Sequence, residues 1–127
     1  MVHGSISYIY IDGKNRVIEA QLSCAFSRRG KLHFAECPEL QLIDQGYSKR
    51  EALENLTEMA AATIIEAVRA GKLDGMLRVL GFTKQRIPLR DRTIFKQVLE
   101  GADNLTPLPI EVPLEPVVTG HHVQVFG

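Results

Sequence analysis

Between Val17 and Ser27 the chain alternates apolar and polar positions with a period of two. Ile18, Ala20, Leu22, Cys24 and Phe26 fall on one face, and Glu19, Gln21 and Ser23 on the other. Alternate side chains of an extended strand point to opposite faces, so this pattern predicts a strand with one face buried and one in water, as in an antiparallel sheet. Ser5–Ile11, rich in Ile and Tyr, predicts a strand before it, joined through the turn signal Asp12-Gly13 and the loop residues Lys14-Asn15. Arg28-Arg29-Gly30 marks the next turn, and Leu32–Glu36 resumes as a strand with Leu32 and Phe34 on one face. Cys37-Pro38 interrupts it, because proline removes a ladder donor and restricts the residue before it. Leu40–Gln45 predicts a short further strand, ended by Gly46.

The period then changes from two to that of a helix. Ser48 is placed to cap its start, and Glu51 three positions on completes a capping box. Leu53, Leu56, Ala60, Ile64, Ala67 and Val68 form the predicted buried stripe, and Gly71 the stop. At ~1.5 Å per residue the resulting helix of about 22 residues spans ~33 Å, enough to cross a small sheet. A second, shorter helix is expected from Asp74 as cap, with Met76, Leu77, Val79 and Leu80 as its apolar side and Gly81 as its end. Thr93–Gly101 predicts a third short helix with Ile94, Val98 and Leu99 inward. Pro107, Pro109, Pro113 and Pro116 then exclude a helix or a central strand and predict an extended arm, Leu105–Val118, running along an edge. Val123–Phe126 is the last expected strand. The expected fold is therefore α+β: an antiparallel sheet of three to five strands with one long helix packed across one face, plus short C-terminal helices and an extended Pro-rich arm. Residues 1–82 would form the α+β domain, and 83–127 an extension packed on it or used for self-association.

Composition narrows the function classes. The chain has 127 residues, 45% of them hydrophobic, which suits one domain with a sizeable core. Fifteen Lys and Arg balance fifteen Asp and Glu. A nucleic-acid binder usually carries a basic excess, so the bulk charge disfavours that class while leaving local basic patches open. Cys24 and Cys37 form no close metal-ligand pair and suggest a reducing compartment. Asp12, Lys14, Arg16 and Glu19 break any signal-peptide apolar run, and no stretch is apolar for long enough to span a bilayer. A cytoplasmic location and no membrane association are expected.

The stretch Lys31–Ala52, KLHFAECPELQLIDQGYSKREA, resembles the HicB-type antitoxin family. Phe34, Glu36, Cys37, Pro38, Glu39 and Leu40 match that family's Phe-x-Glu-Cys-Pro-Glu-Leu form, Gln45-Gly46 its turn, and Glu51–Asn55 its helix start. With the preceding strand the resemblance covers roughly residues 16–70. It implies a β-β-β-α core related to a partial ribonuclease H sheet, and a role in binding and blocking a small ribonuclease toxin with a double-stranded-RNA-binding-type fold. Many such antitoxins also carry a C-terminal DNA-binding domain. This chain departs from the pattern in its extra first strand and in a C-terminal portion that does not read as helix-turn-helix or ribbon-helix-helix, so DNA binding through it is not expected. The motif residues have packing explanations and identify a fold better than an activity.

Other chemistry is thinly supported. Glu36, Glu39 and Asp44 would need to converge to hold two metal ions, and the proline between the first two argues against it. Cys37 is expected as a small buried residue rather than a reactive thiol. Adjacent strand residues point to opposite faces, so His121 and His122 are not expected to share a metal ion; His122 carries the rival ribonuclease reading, through a faint similarity to the Gly-Ser-His strand of HicA-type toxins. Arg28, Arg29 and Lys31 form one basic patch, and Lys84, Arg86, Arg90 and Arg92 another, without interleaved stacking aromatics. Tyr8 and Tyr10 share a strand face and suit either an interface or ordinary packing. No catalytic residue, cofactor or metal site is assigned. The leading expectation is a protein-interaction module, not an enzyme, with Glu39, Glu19 and Gln21 as partner-binding residues chosen for their expected exposure. The partners would be a small basic ribonuclease toxin and the chain itself, as a dimer or higher oligomer, with the Pro-rich arm adding to a partner's sheet edge. The alternatives are a stand-alone homo-oligomer without a toxin, a nucleic-acid-binding regulator and a ribonuclease.

Overall fold

The computed structural model describes residues 2–11, 14–87, 92–100, 104–113, 117–119 and 122–124. In chain order the elements are β1 (Val2–Ile11), β2 (Lys14–Arg29), β3 (Leu32–Cys37), β4 (Leu42–Gly46), α1 (Lys49–Arg69), α2 (Leu73–Val79), β5 (Thr83–Ile87), β6 (Arg92–Leu99), β7 (Thr106–Pro113), β8 (Val117–Thr119) and β9 (His122–Gln124). The architecture is α+β, with one long helix against an antiparallel sheet. Six strands run in the order β4-β3-β2-β1-β6-β5, and β7 joins as a seventh by pairing with β2. β8 and β9 form a separate two-stranded ladder. The sheet is larger than the three to five strands expected, and β5–β7, drawn from the expected C-terminal extension, complete it.

The alternation read in β2 sets the faces. Ile18, Ala20, Leu22 and Cys24 are buried with Ile6 and Tyr8 of β1 and Phe95 of β6. The register Ile6↔Ala20, Ile6↔Phe95 and Tyr8↔Ile18 puts these side chains on one side of the sheet. α1 covers that side, packing mostly on β3 and β4 and reaching β2 and β7. Its buried positions are Ala52, Leu56, Ala60, Ala61, Ile64 and Ala67. Four alanines there let the helix approach the strands closely. At Gly46 the approach leaves no room for a side chain, because a Cβ there would meet the Ala52 backbone nitrogen at 2.6 Å.

The helix ends follow from single residues. The Ser48 hydroxyl accepts from the Glu51 backbone N–H at 3.0 Å. Gly71, at φ 67°, turns the chain out of α1, with the Lys72 N–H donating to the Ala67 carbonyl at 2.8 Å. Gly81, at φ 94°, stops α2 in the same way, with Phe82 donating to Leu77 at 2.9 Å. Two details of α2 differ from expectation. Asp74 lies inside its first turn instead of capping it, and Leu73 and Leu77 carry its burial while Val79 is exposed.

The expected third helix is wrong: those residues form β6. Thr93 and Phe95 turn inward and Lys96 and Val98 outward, a period of two hidden by Ile94 on the outer face. The unpaired edge of β1 gives this β-branched, aromatic segment a ladder partner, which outweighs its weak helical spacing. β5 was not anticipated, since Thr83, Lys84, Gln85 and Arg86 are all exposed and carry no apolar alternation. It forms by pairing with β6. The Pro-rich arm is extended along an edge as expected, over Thr106–Pro113.

Candidate interaction face and the buried Glu39

The sheet has a second face, opposite α1. There the register sets Ser7 beside Glu19 and Ser5 beside Gln21, with Ile94 and Lys96 of β6 next in line. On the other side of β2, Glu19 is opposite Glu111 of β7. Glu19, Gln21 and Glu111 are exposed, so the sequence-based placement of Glu19 and Gln21 on a wet face holds. Like charges directly opposite one another in a ladder cost stability, so the Glu19–Glu111 pair does not favour the fold. Toward β3 and β4 the same face becomes more apolar. Phe34 is opposite Gln45 and Glu36 opposite Ile43, with Ile43 55% exposed and Phe34 half-buried. A shallow hollow of about 260 Å³ is lined by Phe34, Ile43, Asp44 and Gln45. At the other end Val98 is 49% exposed.

Glu39 does not belong to this face, and its expected exposure is corrected: it is fully buried. Pro38 to Gln41 form a turn closed by the Gln41 N–H on the Pro38 carbonyl at 3.3 Å, and Leu40 is buried with Glu39. Turned inward, the Glu39 carboxyl accepts from the Ser23 backbone N–H at 2.8 Å and from the Cys37 thiol at 3.7 Å. A Cβ at Gly4 would stand 2.5 Å from Glu39 Cγ, so the first strand is glycine where the carboxylic side chain passes. Glu39 Oε1 has no hydrogen-bond partner among the described residues. The residue fastens the β3–β4 turn to β2.

The remaining candidates separate as follows. Glu36 lies on the outer face, Glu39 inside, and Asp44 opposite Ala35 on the helix-facing side, so the three carboxylates do not converge. No group of three or more His, Cys, Asp or Glu among the described residues is arranged to hold a metal ion. Cys24 and Cys37 are free and buried. Burial pushes the Cys37 thiol up to about 12, the Glu39 carboxyl adding to the effect, and burial also raises Cys24. Tyr8 is buried, its ring 6.1 Å from that of Phe95, which makes it a core residue. The side chain of Tyr10, the whole of His121 and the side chain of His122 lie outside the described residues, as does Arg90. Arg28, Arg29 and Lys31 are exposed at the hairpin tip.

One cluster was not foreseen. Asp74 of α2 accepts from the Tyr8 hydroxyl at 3.0 Å and from the Lys84 ammonium of β5. Partial burial pushes the Asp74 carboxyl up, but the bonds from Lys84 and Tyr8 and the charges of Lys84 and Arg78 prevail and hold it below its ordinary value. The sequence offered no signal for this, because it depends on β5 lying beside α2.

No family model matches the chain, and no curated protein and no solved structure matches it. No helix among the described residues is long and apolar enough to cross a membrane.

Proposed function

We propose that this protein is a HicB-like protein-interaction module, which uses the outer face of its sheet to cover the active site of a small basic ribonuclease. The observation that carries the reading is the uncovered face itself: α1 lies wholly on the other side, and the bare side joins the opposed Glu19–Glu111 pair to Glu36 and the apolar Phe34 and Ile43. An unrelieved carboxylate pair attracts a basic partner, and the Phe34–Ile43 hollow supplies apolar area beside it. The inhibition is steric, so it needs no catalytic group on this chain. Glu39 contributes by holding the β3–β4 turn in place, and Glu19 and Gln21 by direct contact.

The test is affinity purification of the tagged protein from its own host, with mass spectrometry of what accompanies it. A stoichiometric small basic protein that cleaves RNA alone and stops when this chain is added supports the reading. Recovery of the chain alone as a stable oligomer removes the toxin and leaves a homo-oligomeric HicB-like domain.

A further inference from the structure

A second site lies on the helix side of the sheet, away from the proposed docking face and independent of it. The turn between α1 and α2 borders, with β5 and β6, a half-open polar cavity of about 390 Å³ lined by Tyr8, Asp74, Lys84, Arg86 and Thr93, with Val68 and Leu73 as its apolar wall. Its size falls within the range of small-molecule sites, which span ~300–1,000 Å³. We infer that this cavity binds the phosphate group of a small phosphorylated metabolite.

Three observations support that ligand class. The first is the donor set. Lys84 and Arg86 alternate along β5 opposite Phe95 and Thr93, so both side chains project to the cavity side of the sheet. Asp74 takes one of the three ammonium hydrogens of Lys84, whose Nζ also lies 5.9 Å from the Phe95 ring centroid, and two hydrogens remain for a ligand. No hydrogen bond or ion pair among the described residues engages the Arg86 guanidinium, whose planar fork suits two phosphate oxygens. Thr93, only 4% exposed, adds a hydroxyl at the floor.

The second is positioning. Asp74 carries the sign that repels an anion, yet its two oxygens are taken by Tyr8 and Lys84. It acts as an anchor that fixes Lys84, and so orders the site before a ligand arrives.

The third is the field. Residues 69–99 hold eight of the fifteen Lys and Arg but only two of the fifteen Asp and Glu. Of that segment only Lys84, Arg86 and Asp74 are charged side chains lining the cavity, two cations to one anion, so the lining carries a net positive charge that raises the local concentration of anions.

The experiment is titration of the full chain with inorganic phosphate, adenosine 5′-monophosphate and adenosine, followed by amide chemical shifts and calorimetry. Both phosphates should bind saturably, with shifts confined to Gly71, Asp74, Lys84, Arg86 and Thr93, and adenosine should not bind. Arg86→Ala, at an exposed position, should weaken binding by about tenfold, the loss expected for one charged hydrogen-bonding partner. Thr93→Val keeps the side-chain shape and should weaken it by less. Unchanged binding in Arg86→Ala overturns the proposal, as do shifts that never saturate and spread to Lys72, Arg92 and Lys96, which mean counter-ion attraction only. Tight, steeply salt-dependent binding of an RNA oligonucleotide without saturable phosphate binding also overturns it, and makes the edge a nucleic-acid surface.

Discussion

Glu39 reaches back from the turn after β3 and takes the backbone N–H of Ser23 at 2.8 Å, through space that exists because residue 4 is glycine. The β1–β2 ladder ends at the pair Ser5↔Gln21, so no strand partner is recorded for Ser23 on that side and a side chain serves in its place. Gly4→Ala should cost about 1–3 kcal/mol, as overpacking in a filled core does. Glu39→Ala should cost at least as much, because it leaves a cavity and a buried N–H without its acceptor. The two losses should not add: with Glu39 truncated, the methyl group of Gly4→Ala has room. Urea unfolding of both single variants and the double variant gives the coupling, and strict additivity contradicts the packing described.

That contact also shows where sequence reading stops. The strand alternation of β2, the Ser48 cap, the Gly71 stop and the edge-running proline arm all depend on neighbours a few positions apart, and each was legible. Glu39 looked exposed because glutamate in a Pro-containing loop usually is. Its burial rests on Gly4 and Ser23, which are remote in sequence. β5 and β6 were missed for a related reason: their strand state comes from pairing, of β6 with β1 and of β5 with β6, and local spacing in Thr93–Leu99 pointed elsewhere. The face carrying Glu19 and Gln21 was readable, whereas Glu111 joined it only through the β2–β7 register.

Asp74 ties α2 to β1 and β5, and its lowered pKa makes the tie sensitive to acid. A carboxyl whose folded pKa lies below its unfolded value stabilises the protein above the unfolded value, about 4 for aspartate, and loses that contribution as pH falls through the folded one. Stability should therefore decline through this group only below about pH 4. Asp74→Asn should lower stability at neutral pH and flatten the acid limb of a plot of urea midpoint against pH. The effect is small, because the side chain is 44% exposed and water screens the ion pair. Parallel acid limbs in the two proteins contradict the assignment.

Pro107, Pro109 and Pro113 lie opposite Ser23, Gln21 and Val17, always at the same alternate set of register positions. Successive residues of an antiparallel strand turn their N–H groups to opposite sides, so prolines at the ladder-facing set would leave β7 without donors. They occupy the outward set, where Glu111 alone retains an N–H. The arm thus spends its hydrogen-bonding side on β2 and offers a poor template on the other, contrary to the expectation that it adds to a partner's sheet. Replacing Pro107 and Pro109 together by Thr should restore two edge donors and promote concentration-dependent self-association without unfolding the subunit. Sedimentation velocity over a range of concentrations reads this; an unchanged assembly state means the edge is closed by something other than its prolines.

The last prediction separates stability from recognition on the outer face. Glu19 and Glu111 oppose each other across β2 and β7, both in water, and their repulsion costs the fold. Glu111→Lys converts the pair to an attractive one and should stabilise the chain by about 0.2–1 kcal/mol, the range for cross-strand charge pairs. The gain should shrink in high salt, since both groups are exposed. If the face docks a basic ribonuclease, the same substitution should slow association and weaken inhibition of RNA cleavage, because it removes a carboxylate from the partner and places a cation there. A more stable protein that inhibits less well is the signature of a charge kept for a partner. A variant that is more stable and inhibits as well as before removes Glu111 from the interface, and no gain in stability at low salt contradicts the register that pairs the two residues.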